Sequence, residues 1–132
     1  MILLDTVVVS ELRKARPSSR VLRWAARYRE EQLFISVVTL GELERGVASA
    51  RDPAFHSELE RWLDDLLRRY DERLIDVTPP VARLWGRLSS QLGRADVDLM
   101  IAATAMVHGL TVATRNIRHF APTGVALVDP FA

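Results

Sequence analysis

Short apolar runs alternate with longer stretches of helical period along this chain. Runs that stop at polar or turn-forming residues are typical of buried strands, and they cover 2–4, 33–36, 74–77, 110–114 and 125–128. Between them, apolar residues spaced three and four apart predict helices over 21–28, 37–47, 53–70, 79–92 and 101–107. We therefore expect an α/β fold, a three-layer α/β/α sandwich whose central sheet has four or five mostly parallel strands.

Several helix boundaries follow from local residue chemistry. Asp52-Pro53 and Thr78-Pro79-Pro80 are typical helix starts, because proline suits the first helical position. Asp98 is the expected cap of a helix that Gly109 ends. Val7–Leu12 is compatible with an extension of the first strand or with a helix, since its β-branched residues leave the choice open.

Length and composition narrow the class of protein. A chain of 132 residues, 48% of them hydrophobic, fits a single domain spanning 1–132. The absence of cysteine excludes disulfides, thiolate zinc sites and cysteine nucleophiles, and favours an intracellular protein. No apolar run approaches the roughly 18–20 residues that cross a bilayer, so we expect no membrane association. The first residues, MILLD, are typical of a strand and not of a signal peptide.

Charge is unevenly distributed although the net charge is only +1. Segment 13–29 carries seven basic residues and no acid. Two interpretations remain open for it: a solvated helix face, or a rim that binds phosphate through arginine.

Four polar positions lie at the ends of buried-looking segments. Asp5 follows the first strand, Asn116 follows the strand over 110–114, Glu42 lies about two turns into a helix, and Asp98 opens another helix. Ligands of parallel sheets bind beyond the carboxyl ends of the strands. We therefore expect these four side chains to converge on one edge of the sheet.

Such a cluster has a definite chemistry. Carboxylates held close together repel one another, and some stay protonated unless a cation is present. An oxygen-only set of ligands, without cysteine and without histidines at ligand spacing, favours Mg²⁺, with Mn²⁺ as the other candidate. A divalent cation with open positions binds a phosphate oxygen and activates water, so the indicated reaction is phosphodiester hydrolysis.

Three segments carry a family resemblance. Leu3–Leu12, Ser36–Gly46 and the stretch from Asp98 to Asn116 resemble, in order and with compatible spacing, the PIN-domain ribonucleases. The likeness is to the VapC-type toxins of bacterial toxin–antitoxin pairs, and it runs from Leu3 to Phe131. It implies a PIN-like sandwich and a cytoplasmic, Mg²⁺-dependent endoribonuclease. It also implies an RNA substrate, a homodimer, a cognate antitoxin that silences the enzyme, and assembly into a larger toxin–antitoxin complex.

The resemblance also implies residue roles. The metal-binding acids would be Asp5, Glu42 and Asp98, and Asn116 stands where many relatives have a fourth acid. Residues that orient these ligands would be Thr6 and Thr114.

Two departures from the family pattern affect this expectation. Val7 stands where relatives often have asparagine, so no polar contact can come from that side chain. Asn116 is neutral, and it can offer a metal only its carbonyl oxygen or hydrogen-bond a bound water. With three acids, we expect a single bound Mg²⁺. Asp96 is a substitute ligand or, as the preferred interpretation, a residue that complements the helix dipole.

Other polar residues have two interpretations each. Glu11 could pair with a base that lines the cleft, but an ordinary helix position is favoured slightly. Arg115 could contact an RNA phosphate or form a structural ion pair, with equal weight. His119, beside Phe120, is expected to pack in a loop, and none of the histidines shows ligand spacing.

Two other functions stay open. Val7 and Asn116 are compatible with a catalytically weakened PIN domain that binds RNA or an antitoxin. An acid at the end of the first strand also occurs in phosphotransfer domains, but these need a second acid nearby, and receivers need a late lysine. Val7 occupies the place of that acid in aspartate phosphatases, and the only lysine is Lys14.

Overall fold

Five short strands form one parallel sheet in the computed structural model, which describes residues 1–132. The strands are β1 (Ile2–Leu4), β2 (Leu33–Ser36), β3 (Leu74–Ile75), β4 (Thr111–Ala113) and β5 (Leu127–Val128). Their order across the sheet is β3-β2-β1-β4-β5, and every neighbouring pair is parallel. The predicted α/β/α architecture is confirmed, with the higher of the two expected strand numbers.

Seven α-helices connect and cover these strands. They are α1 (Thr6–Arg13), α2 (Ser19–Ala25), α3 (Val37–Ser49), α4 (Pro53–Arg69), α5 (Pro79–Leu92), α6 (Val97–His108) and α7 (Ile117–Phe120). The open choice for Val7–Leu12 is decided in favour of a helix. The Asp5 side chain accepts the Thr6 N–H at 2.8 Å, and this cap ends β1 and starts α1.

The two faces of the sheet bury different side chains, as strand geometry requires. Ile2 and Leu4 of β1 pack with α1, α2, α3 and α4 on one face. Leu3 points to the other face and packs with Ile101 and Phe120, from α6 and α7. The continuous apolar strands of the sequence are therefore explained by burial on both faces.

Helix α6 is buried on two sides because it is rich in small residues. Ala102 and Ala105 face the sheet, and Ala103 contacts Val81 and Leu88 of α5. Small side chains let the sheet, α6 and α5 stack closely. The helix ends at Gly109, as predicted, in a left-handed conformation with φ of +66°.

The strand order reverses at β1, since the chain adds β2 and β3 on one side and β4 and β5 on the other. Crevices of parallel sheets form at such a reversal, outside the carboxyl ends of the two central strands. The ends of β1 and β4 therefore define where a ligand can bind. No helix in the structure has both the length and the apolar character needed to cross a membrane.

Truncation of Ile101 to alanine should lower the free energy of unfolding by about 2–4 kcal/mol, because the side chain is fully buried between α6 and the sheet. Urea denaturation of the metal-free protein measures this. The matched control is Val107→Ala, an exposed position of the same helix, which should change stability by less than about 0.5 kcal/mol. Equal losses for both variants would contradict the described packing of α6.

Candidate metal centre

Asp5 is the most constrained acid of the site. It follows β1, and its N–H donates to the Ala113 carbonyl at 3.0 Å, which continues the pairing with β4. Only 3% of the residue is exposed. One carboxylate oxygen, Oδ1, accepts the Thr6 N–H, and the other, Oδ2, accepts the Thr114 hydroxyl at 2.7 Å. Burial raises the pKa of Asp5, whereas these two hydrogen bonds oppose that rise.

Thr114 links the ends of β1 and β4. It is fully buried, and its hydroxyl donates to Asp5 while accepting the Asn116 N–H at 2.9 Å. A hydroxyl can do both at once, so the two partners fix its orientation. Thr114 thereby holds the Asp5 carboxylate in one position.

Glu42 reaches the same edge from α3. Its Oε1 accepts the Thr6 hydroxyl at 2.5 Å, and the Thr39 hydroxyl lies 3.3 Å from that of Thr6. Thr6 therefore connects two acids, because its N–H binds Asp5 and its side chain binds Glu42. Glu44, two residues on, is exposed.

Asp98 lies at the second position of α6, and one-fifth of its side chain is exposed. The pKa of Asp98 is raised to about 6, first by burial and next by the negative charge of Asp5. The charges of Glu42 and Asp96 also raise this pKa, whereas His119 lowers it. The expected role of Asp98 as helix cap is wrong. Asp96 occupies that position, because the helix begins at Val97, two residues earlier than a cap at Asp98 requires.

His119 is a residue of this site that the sequence interpretation missed. Its Nε2 atom lies 3.3 Å from Asp96 Oδ1 and 3.4 Å from Asp98 Oδ2. It also packs edge-on against Phe120, which was the expected role. The sequence did contain an indication of this role. His119 lies three residues after Asn116, on the short helix that follows β4, so both residues can lie near the same edge of the sheet.

Arg94 neutralises Asp96. Its Nε and Nη2 atoms donate to the two Asp96 oxygens at 2.6 and 3.0 Å, and its Nη1 donates to the His119 carbonyl at 2.6 Å. The guanidinium lowers the pKa of Asp96 to about 2. Asp96, Asp98 and His119 offer ligand atoms within 4.8 Å of one another, but both oxygens of Asp96 are already occupied by Arg94.

The remaining predicted residues form no side-chain hydrogen bond or ion pair with Asp5, Glu42 or Asp98. Asn116 is exposed, and its side chain forms no hydrogen bond. Glu11 is buried and closes the loop after α1, accepting from Lys14 Nζ and from the Ser18 N–H, both at 2.9 Å. Arg115 forms no ion pair, and its guanidinium lies 4.3 Å from the centre of the Phe131 ring. Val7 packs against the apolar core, so no polar contact comes from that position.

Asp5, Glu42 and Asp98 are the acids at this edge of the sheet that could hold a metal ion. Asp5 and Glu42 both raise the pKa of Asp98, and Glu42 raises that of Asp5, so the three carboxylates repel one another. A cation would remove this repulsion and match their hard oxygen donors. The Asp5 and Glu42 carboxylates are already oriented by Thr114 and Thr6, which is the arrangement that such a cation requires.

Replacement of Asp98 by asparagine should stabilise the metal-free protein by about 1–2 kcal/mol above pH 6, since the variant has no carboxylate to ionise beside Asp5. This magnitude allows for the water that still reaches the side chain. The folded pKa of about 6 lies above the ordinary 3.8, so the advantage shrinks as pH falls through 6 and is lost below about 4.

Chemical denaturation from pH 4 to 8 measures this difference, with Asp64→Asn on the exposed face of α4 as the control. The control should show no such pH dependence. An Asp98→Asn protein with parental stability at every pH would contradict the described electrostatics.

Comparison with known proteins supplies the family. The model of the PIN domain matches residues 2–124. The chain is 35% identical to Toxin FitB of Neisseria gonorrhoeae over 99% of both chains, and 34% identical to VapC ribonuclease Y4jK of Sinorhizobium fredii over 99% of this chain and 98% of that one. The crystal structure of FitAcB from Neisseria gonorrhoeae superposes with a TM-score of 0.90 at 34% identity, covering 99% of each chain. A matching family model, two full-length relatives and a shared fold agree, so this chain belongs to the PIN-domain family, among the VapC-type toxins.

Proposed function

We propose that this protein is a Mg²⁺-dependent endoribonuclease toxin that cuts RNA phosphodiester bonds and is neutralised by a cognate antitoxin. The observation that supports this most directly is the cluster of three mutually repelling carboxylates at the strand-order reversal of the sheet. The names of two full-length relatives, a toxin and a ribonuclease, point to the same activity. The site of action would be the cytoplasm, where the RNA is.

Asp5, Glu42 and Asp98 are the proposed metal ligands. Thr114 and the Thr6 N–H hold the Asp5 carboxylate, and the Thr6 hydroxyl holds Glu42. Each carboxylate oxygen has a second lone pair, so these hydrogen bonds leave capacity for a cation. Asn116, exposed at the start of α7, would hydrogen-bond a water or the substrate at the rim of the site.

Bound Mg²⁺ would supply the chemistry that side chains lack, by polarising a phosphate oxygen, lowering the pKa of an attacking water and stabilising the leaving oxygen. The protein's own contribution is to hold ionised acids in a fixed arrangement. At neutral pH, Asp98 is largely ionised because its pKa of about 6 lies below the pH. Below pH 6, protons compete with the cation for Asp98, so metal affinity should fall there.

Magnesium fits this site better than a softer metal. Its three proposed ligands are carboxylates, whereas the one nearby imidazole, that of His119, lies against Asp96 and Asp98. Asp96 is less suited to hold the ion, because the positive guanidinium of Arg94 lies against both of its oxygens and would repel a cation there. Three available acids are suited to one hard divalent ion and not to two.

A hydrophobic groove fits the proposed antitoxin. It lies between α1, α2 and α4, and its lining includes Val9, Leu12, Tyr28, Trp62 and Leu66. A second, smaller groove shares Trp62 and reaches Glu42. An amphipathic antitoxin helix could lie in the first groove and place a basic side chain beside the acids through the second. The functional unit would be a homodimer that joins the antitoxin in a larger complex.

Calorimetric titration of the metal-free protein with Mg²⁺ should give one site per chain. The affinity should fall when the pH is lowered from 7 to 5, because the Asp98 carboxyl takes up a proton. Asp98→Asn should bind Mg²⁺ at least tenfold more weakly, since it lacks one of three charged ligands. Two equivalent sites per chain would contradict the assignment.

Purified, antitoxin-free protein should cut cellular RNA in Mg²⁺ and not in EDTA, and sequencing of the new ends locates the cuts. Glu42→Gln should lower the rate about a hundredfold or more, because it removes a charged ligand while keeping the size of the side chain. The matched control is Glu44→Gln on the exposed side of the same helix, which should keep parental activity.

Equal rates for Glu42→Gln and Glu44→Gln would place the reaction elsewhere. A folded parent that binds RNA or antitoxin without cutting RNA in any metal would favour the second candidate function, a binding module. The departures at Val7 and Asn116 favour that candidate, and restoring asparagine and aspartate there would be the next experiment.

A further inference from the structure

A polar cleft borders the candidate metal centre. It has a volume of about 520 Å³ and is lined by residues of the β4–α7 connection, of α7 and of the segment after β5: Arg115, Asn116, Ile117, Arg118, His119 and Asp129. We call it the α7 cleft. Two of these residues are arginines, and the ion pair that was one interpretation of Arg115 is absent from the structure.

The α7 cleft is continuous with the site of the acids. His119 lines the cleft while its Nε2 lies 3.4 Å from Asp98. Asn116 also lines it, and its N–H donates to Thr114, the residue that holds Asp5. A strand of RNA cut at the acids would therefore pass directly over this cleft.

Its arginines are available for a ligand. Arg115 and Arg118 are exposed, and neither forms an ion pair, whereas Arg94 nearby is occupied by Asp96. The Arg115 guanidinium lies against the Phe131 ring, which orients the group while leaving its N–H edges open. The one acid of the lining, Asp129, uses Oδ1 to accept the Phe131 N–H at 2.9 Å.

We propose that the α7 cleft binds the phosphates of the RNA strand beside the cleaved bond, and that Arg115 and Arg118 are its phosphate-binding residues. The proposal rests on the proposed function, because it assumes that the acids cut RNA. The physical reason is repulsion: the site concentrates carboxylates that disfavour a polyanion, and cations beside them offset this. Arginine also pairs with phosphate through two parallel hydrogen bonds.

Binding of a short, labelled, single-stranded RNA tests the proposal by fluorescence anisotropy over a series of salt concentrations. The background is Asp98→Asn in Mg²⁺ buffer, so that RNA stays intact. Arg115→Gln and Arg118→Gln should each weaken binding about five- to tenfold. Each should also lower the slope of log affinity against log salt by about 0.7, the value for one lost phosphate contact on a single strand.

The control variants lie at the other end of α6. Arg83 and Arg87 are exposed on α5 and share a pocket with Val107, which is nine residues, or about 13 Å, along α6 from Asp98. Arg83→Gln and Arg87→Gln should leave RNA affinity within about twofold and the salt slope unchanged. Phe131→Leu should weaken binding without changing the slope, because Arg115 keeps its charge and loses its orientation.

Several results would overturn the proposal. One is a loss of RNA affinity in the Arg115 and Arg118 variants that is no greater than in the controls. The others are an unchanged salt slope in those two variants, and the absence of RNA binding by Asp98→Asn at the lowest salt. Weaker antitoxin binding with unchanged RNA affinity would assign the cleft to the protein partner instead. In the active chain, Arg115→Gln should raise KM with kcat nearly constant. If the proposed nuclease function is wrong, the parent itself cuts no RNA, so that result is distinguishable from an error in the assignment of the cleft alone.

Discussion

The buried carboxylate of Asp5 is the constraint on which the rest of the site depends. An ionised group in that position is costly unless hydrogen bonds or a cation compensate for lost water. The first residue of α1 and Thr114 supply the hydrogen bonds, and the one from Thr114 exists only because β1 and β4 are adjacent and parallel. The central pair of strands thus positions the acid, and the acid in turn caps the helix that follows.

The other acids are brought to Asp5 by packing. Helix α6 must lie close to the sheet for the charge of Asp5 to raise the pKa of Asp98. The buried alanines of α6 permit that close approach. Thr6 connects Glu42 to Asp5, because its hydroxyl donates to Glu42 while its N–H donates to Asp5. The resulting repulsion raises the pKa of Asp98 and makes the ionised, metal-free site unfavourable.

The acidic and basic side chains around the centre lie in different places. Arg94 neutralises Asp96, so this acid differs in net local charge from the three acids proposed to hold a cation. Arg115 and Arg118 remain without an acidic partner on the adjoining cleft. A nearly neutral chain can thus be a nuclease, because a polyanionic substrate responds to the local field and not to net charge.

By itself, the sequence determined the alternating strands and helices, the burial of both sheet faces and the convergence of Asp5, Glu42 and Asp98, because these follow from periodicity and from the rule for parallel sheets. Only the tertiary structure decided that Val7–Leu12 is helical and that Asp96, not Asp98, takes the N-cap position of α6, since local propensities there were balanced. It alone brought His119 to Arg94, Asp96 and Asp98, because contacts between residues distant in sequence leave no periodic pattern.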